Sequence, residues 1–257
     1  MEQSTARQIS KRGRRTRLAA VAAVAVLGSG FAINAWLNRA PEPKVHEGPV
    51  PAQLLVSADG QTLTLNIGWS CEKKPELVAH ETADSVKVSL RHTAAPGFCD
   101  PGGIGRITTH LTKPLGPRTL YDTVAGRPAV HFDERDLLRP TYLPENYYPY
   151  PAARMVELPG LDPLPSDIPA WASGYQLGTD PQSGWSLIIS QALRSGPLPV
   201  GQVAGVNKHP ASITQTNPSL GPRSLTWSDG TYTFSITTGG PTLLSAEELI
   251  RVAESLK

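Results

Sequence analysis

SLTWSDGTYTFSI, residues 224–236, decides the fold class of this chain. Ser224 to Trp227 and Thr231 to Ile236 alternate polar and apolar residues, the period of a strand with one buried face. Between them stands Ser228-Asp229-Gly230, a turn sequence whose glycine supplies the positive φ that a tight hairpin requires. A helix is predicted soon after. Ser245 is its N-cap, Glu248 at the third helical position makes a capping box, and Leu244 and Leu249 are placed as a hydrophobic staple. Leu249, Val252, Ala253 and Leu256 form one apolar face, suited to packing on the preceding sheet. A hairpin followed by a capped amphipathic helix places the chain in the α+β class, mostly antiparallel β.

Upstream, the same strand period recurs. Leu54-Leu55-Val56 and Thr62 to Ile67 flank Asp59-Gly60, a second hairpin signal. Ser85 to Arg91 alternates, and Arg106 to Leu111 is a further candidate strand. Tyr175 to Leu177, Trp185 to Ile189 and Ser212 to Thr214 are candidates in the second half. With 25 Pro and 23 Gly in 257 residues, the chain is rich in turns and poor in long helices. Residues 53–138 read as one β-rich domain. Residues 139–257 read as a β-sheet with the C-terminal helix, and open on a Pro/Tyr-rich strap at 139–170.

The N-terminus reads differently. Leu18 to Leu37 (LAAVAAVAVLGSGFAINAWL) carries no charge over 20 residues, and at about 1.5 Å per residue a helix of it spans about 30 Å, the thickness of a bilayer core. Lys11, Arg12, Arg14, Arg15 and Arg17 precede it directly. The positive-inside rule then leaves residues 1–17 in the cytoplasm and exports the rest. A cleavable secretory signal ending at Ile33-Asn34-Ala35 is the alternative, and it exports the same residues. Residues 38–52, with Pro41, Pro43, Pro49 and Pro51, read as a stiff spacer. The expected localisation is the cell membrane, crossed once, with the membrane itself a partner through Leu18–Leu37.

Charge and cysteines agree. The first 17 residues carry five net positive charges, so within a total of +2 the remainder is net −3. The exported part has no basic stripe, which argues against nucleic-acid binding. The two cysteines, Cys71 and Cys99, lie in that part. In an oxidising compartment they pair most simply as one disulfide. It closes a loop of roughly 28 residues, worth about 3–4 kcal/mol by chain entropy.

Chemistry leaves little trace. The six histidines fall in no metal-ligand motif, and no nucleophile elbow, P-loop or dinucleotide fingerprint is present. No catalytic residue, metal or cofactor is assigned. The densest titratable cluster is His131-Phe132-Asp133-Glu134-Arg135-Asp136, which is read as a charged strand end. On a strand, His131 and Asp133 share a face. The aromatics Tyr142, Tyr147, Tyr148, Tyr150, Trp171 and Trp185 form a candidate binding surface, weighed against packing of the strap on its sheet.

Three stretches carry a resemblance: Tyr142-Leu143-Pro144-Glu145-Asn146-Tyr147, then Leu225 to Tyr232, then Leu244 to Leu256. Together they resemble an extracytoplasmic domain of unknown function found in bacterial anti-sigma-factor-like single-span membrane proteins. Where that family's first motif has glycine, this chain has Asn146, a residue that also accepts a left-handed turn. The resemblance implies a curved sheet with a packed helix, used in sensing or regulation. A cytoplasmic tail of about 17 residues is too short to hold a sigma factor, so the expectation is an accessory ectodomain with an envelope protein as partner. The expected function is therefore a non-enzymatic envelope binding or sensory protein, with an exported hydrolase built on dispersed residues, His131 first, as the alternative.

Overall fold

The computed structural model describes residues 44–50, 54–94, 103–150, 168–178, 186–193, 197–215, 222–239 and 243–257. Residues Lys44–Lys257 form one compact unit. Leu18–Leu37, Cys99 and Trp185 lie outside the described residues. Among the described residues no helix is long and apolar enough to cross a membrane.

The unit is mostly antiparallel β-sheet with one short C-terminal helix. Its first strands are β1 (Val45–Gly48), β2 (Leu54–Val56), β3 (Thr62–Trp69), β4 (Glu76–Glu81), β5 (Ser85–Thr93), β6 (Gly103–His110), β7 (Thr119–Asp122), β8 (Arg127–Pro128) and β9 (His131–Asp133). They make two sheets. In one, β4 takes one edge of β5, while β1 and β7 share the other edge end to end and β8 pairs with β7. The other runs β6-β3-β2-β9.

Alternation explains how the two sheets stack. Leu63 and Leu65 of β3 and Val86 and Val88 of β5 are at most 1% exposed, and all four belong to one shared core. Each buried leucine or valine contributes about 1.5–3 kcal/mol before chain entropy is charged against it. A close approach fixes Gly103: a Cβ there would stand 2.6 Å from Trp69 Cζ2, so the Trp69 ring lies directly on the β6 backbone.

Two features depart from the sequence reading. Val45–Gly48 falls in the stretch read as a spacer, yet it pairs with β5. Its four residues lie beside Pro41, Pro43, Pro49 and Pro51, which hide the strand signal. The parallel pairs β2–β9 and β5–β7 join segments far apart in sequence, and no local pattern announces them.

The second half builds a seven-stranded antiparallel sheet ordered β10-β11-β12-β16-β15-β14-β13. Its strands are β10 (Tyr147–Tyr150), β11 (Ala170–Leu177), β12 (Ser186–Ala192), β13 (Gln202–Val206), β14 (His209–Gln215), β15 (Arg223–Ser228) and β16 (Thr233–Gly239). The β15–β16 turn holds Gly230 at φ +98°. Asn146, just before β10, sits at φ +65°, the left-handed conformation expected of it.

Helix α1 (Ala246–Glu254) covers one face of this sheet with Leu249, Val252 and Ala253 buried. Ser245 caps it, its side chain accepting from the Glu248 N–H at 3.1 Å. The reciprocal half of the capping box is replaced. The Glu248 carboxylate accepts instead from the Tyr142 hydroxyl at 2.8 Å, which ties the strap to the helix.

The two halves meet around Trp171, which is 1% exposed and packs with Leu55, Phe132 and Leu137. Two buried amides fix the seam. Asn66 donates to the Ala172 carbonyl at 3.3 Å. Gln191 accepts from the Leu138 N–H at 3.0 Å and donates to the Asp136 carbonyl at 2.8 Å.

Candidate functional site

The tyrosines and tryptophan singled out in the sequence do not gather into one surface. Trp171 is core at the seam. Tyr147 is buried against the helix-covered face. Tyr142 lies on α1, with the Arg251 guanidinium 3.9 Å above its ring. Tyr148 (49% exposed) and Tyr150 project from the opposite face of edge strand β10, beside Gln176 and Gly174. Strand alternation explains the dispersal, since neighbouring residues of Tyr147–Tyr150 must point to opposite faces.

A concavity forms instead around the titratable cluster. β9 is an edge strand, so His131 and Asp133 stand on one face at the rim while Phe132 turns into the seam. The chain then makes a single 3-10 turn over Glu134–Asp136, capped by the Asp133 carboxylate accepting from the Arg135 N–H at 2.9 Å. This turn projects Asp136. From the second half come Pro169 and Leu193, held together by the Leu193 N–H donating to the Pro169 carbonyl at 2.8 Å, and Tyr232 from the β15–β16 turn. These residues enclose a cavity of about 390 Å³. A second cavity of about 170 Å³ opens beyond β9, toward Ser57, Asp59 and Arg135, so His131 and Asp133 stand between the two.

The electrostatics arise from neighbours. The Arg135 guanidinium hydrogen-bonds both Asp133 oxygens, from Nε at 3.0 and 3.1 Å, and this holds the Asp133 carboxyl below its usual range. Desolvation at the cavity wall lowers the His131 pKa, with the Asp133 charge opposing it. This shift favours the neutral ring, which carries one N–H donor and one acceptor nitrogen. The Tyr232 phenol is raised, first by desolvation and then by the charge of Asp136. Its ring stands 5.9 Å from Phe132 and 6.1 Å from Phe234.

Ser57, Asp59 and His131 all border the smaller cavity, but they do not make a catalytic triad. The Ser57 hydroxyl donates to Asp59 and accepts from the Thr62 N–H at 2.8 Å. Ser57 thus closes the β2–β3 turn, and its proton is directed at Asp59, away from His131. Among the described residues no three His, Cys, Asp or Glu side chains come together to hold a metal ion. Among the same residues, no serine, threonine, cysteine or lysine lines the larger cavity.

In the sequence, His131 to Asp136 reads as a charged cluster at a plain strand end; the structure makes it one wall of a cleft. The other wall comes from Pro169, Leu193 and Tyr232, whose approach depends on how the seven-stranded sheet docks. The adjacent hairpin turn at Asp229-Gly230 is the one local signal near that wall. Comparison with protein-family models, with curated proteins and with solved structures finds no match for this chain.

Proposed function

We infer that this chain is a membrane-tethered, extracytoplasmic binding protein without enzymatic activity, and that its ligand enters the cleft between His131 and Tyr232. The observation that carries this reading is the cleft's construction. Its walls come from both β-modules, and seams of this kind are where small-molecule sites concentrate. The lining offers acceptors, aromatic rings and apolar surface, and among the described residues no serine, threonine or cysteine stands on it for His131 to activate. The uncharged stretch Leu18–Leu37, the disulfide-bonded Cys71 and the resemblance to an extracytoplasmic domain of unknown function found in single-span membrane proteins support the placement. Because the ligand bridges two modules, occupancy would alter their mutual docking, which an envelope protein partner could read.

A water-activating hydrolase is the second reading, favoured by one observation: His131, its pKa lowered by desolvation, lines the cleft beside two carboxylates. Thermal denaturation of the purified chain against a small-molecule panel separates the readings. A saturable rise in Tm that Tyr232→Ala removes supports binding. Turnover of any panel compound, abolished by His131→Ala at unchanged Tm, overturns it in favour of the hydrolase.

A further inference from the structure

The balance of hydrogen-bond donors and acceptors narrows what the cleft can hold. Its polar lining consists of the Asp133 and Asp136 carboxylates, the His131 ring and the Tyr232 phenol. The carboxylates are acceptors only, while a neutral His131 ring and the Tyr232 phenol each carry one donor beside an acceptor. Acceptors therefore outnumber donors, which favours a ligand head group that donates.

Charge points the same way. The Arg135 guanidinium is engaged by Asp133 and lines the smaller cavity, while Arg139 is ion-paired with Glu134. Among the described residues, no lysine or arginine stands on the wall of the larger cavity. Asp229 accepts from the Thr231 and Tyr232 N–H groups at 2.8 Å each, and its charge adds negative potential at the Tyr232 phenol. An anion would meet the Asp133 and Asp136 carboxylates with no cation on the same wall, among the described residues, to offset them. A cation would meet carboxylates and an aromatic face, the pairing that recognises ammonium groups.

The remaining lining is apolar: Val130, Pro169, Leu193 and the Phe132 edge. A volume near 390 Å³ matches a small molecule. We propose that the cleft takes a small organic cation, an ammonium group carried on an apolar body, with the head against Asp136 and Tyr232 and the body against Pro169 and Leu193. This rests on the binding reading above and names the ligand class for the same site.

The test uses the full-length chain in detergent, with its seven tyrosines selectively ¹³C-labelled and Tyr232 assigned through Tyr232→Phe. Cyclohexylmethylamine and its neutral isostere cyclohexylmethanol are titrated separately. The expected result is a saturable shift of the Tyr232 signal with the amine, Tyr148 staying fixed, and at least about tenfold weaker binding of the alcohol. Asp136→Asn should erase that difference. Equal or tighter binding of the alcohol overturns the cation assignment and leaves the cleft as a binding site. No Tyr232 shift with either probe overturns both the cation assignment and the binding reading.

Discussion

The Tyr142 hydroxyl donates a 2.8 Å hydrogen bond to Glu248, while Arg251, one turn further along the same helix, lies 3.9 Å over the Tyr142 ring. One aromatic side chain thereby holds the helix at two points. The hydrogen bond keeps the phenol proton in place, and the Tyr142 pKa is raised by Glu248. Tyr142→Phe removes the bond and keeps the stacked ring; Tyr142→Ala removes both. The expected order of Tm is wild type, then Phe, then Ala, read by thermal denaturation, with helix fraying visible in the α1 amides.

Trp171→Ala is expected to destabilise the chain by about 3–5 kcal/mol, the usual cost of emptying a buried aromatic site. Trp171 joins Leu55, Phe132 and Leu137 across the seam, so urea denaturation should also lose its single transition. A cost under about 1 kcal/mol would show that Trp171 is a surface residue and return it to the candidate binding surface.

Glu81 accepts from the Thr112 N–H at 2.6 Å and from Arg118 at 2.8 Å. In that order these two contacts bring its pKa from 4.5 down to about 2. A depressed carboxylate contributes stability above its unfolded pKa and loses it as pH falls through the folded value. Denaturation midpoints measured from pH 6 to pH 2 should therefore show wild type and Glu81→Gln converging between 4.5 and about 2. Parallel curves would place the stabilisation elsewhere.

Local chemistry makes much of this fold legible. Asp59-Gly60 and Ser228-Asp229-Gly230 each turn a hairpin, and Ser245 begins a helix, because the information lies within a few residues. The long-range features are the ones that stay hidden. β1 is four residues among prolines, and its partner, His92 opposite His46, lies half a module away. The cleft is silent in the sequence for the same reason: His131 is visible in its cluster, Tyr232 is visible in its hairpin, and only the docking of two sheets brings them to one cavity. Tyr147, Tyr148 and Tyr150 mislead as a group because β10 sends alternate side chains to opposite faces.

Cys71 is disulfide-bonded, and Cys99 is the sequence's only other cysteine. Cys71 itself adopts φ +59°, next to the bridge between Glu72 and Ala94, so the crosslink restrains a segment that β-sheet pairing holds weakly. The double change Cys71→Ser with Cys99→Ser is expected to cost about 3–4 kcal/mol, measured by urea denaturation. Thiol titration of the native chain should find no free thiol before reduction; two titratable thiols would contradict the pairing.

The tether is tested by where the chain goes. Leu18–Leu37 is 20 uncharged residues behind five cations, and on the proposed reading it spans the bilayer and exports the residues C-terminal to it. A C-terminally tagged chain should fractionate with membranes at full length, resist carbonate extraction, and lose its tag to protease added outside. Replacing Val24 and Val26 with aspartate introduces two charges at the middle of the span, each costing about 3 kcal/mol for insertion, and should release the chain from the membrane fraction. A mature protein beginning at Trp36 in the medium would instead establish cleavage after Ala35. Either result leaves residues 44–257 in an oxidising compartment, where Cys71 can keep its disulfide; a full-length chain recovered from the cytoplasm would remove the topology and with it the reason for the crosslink.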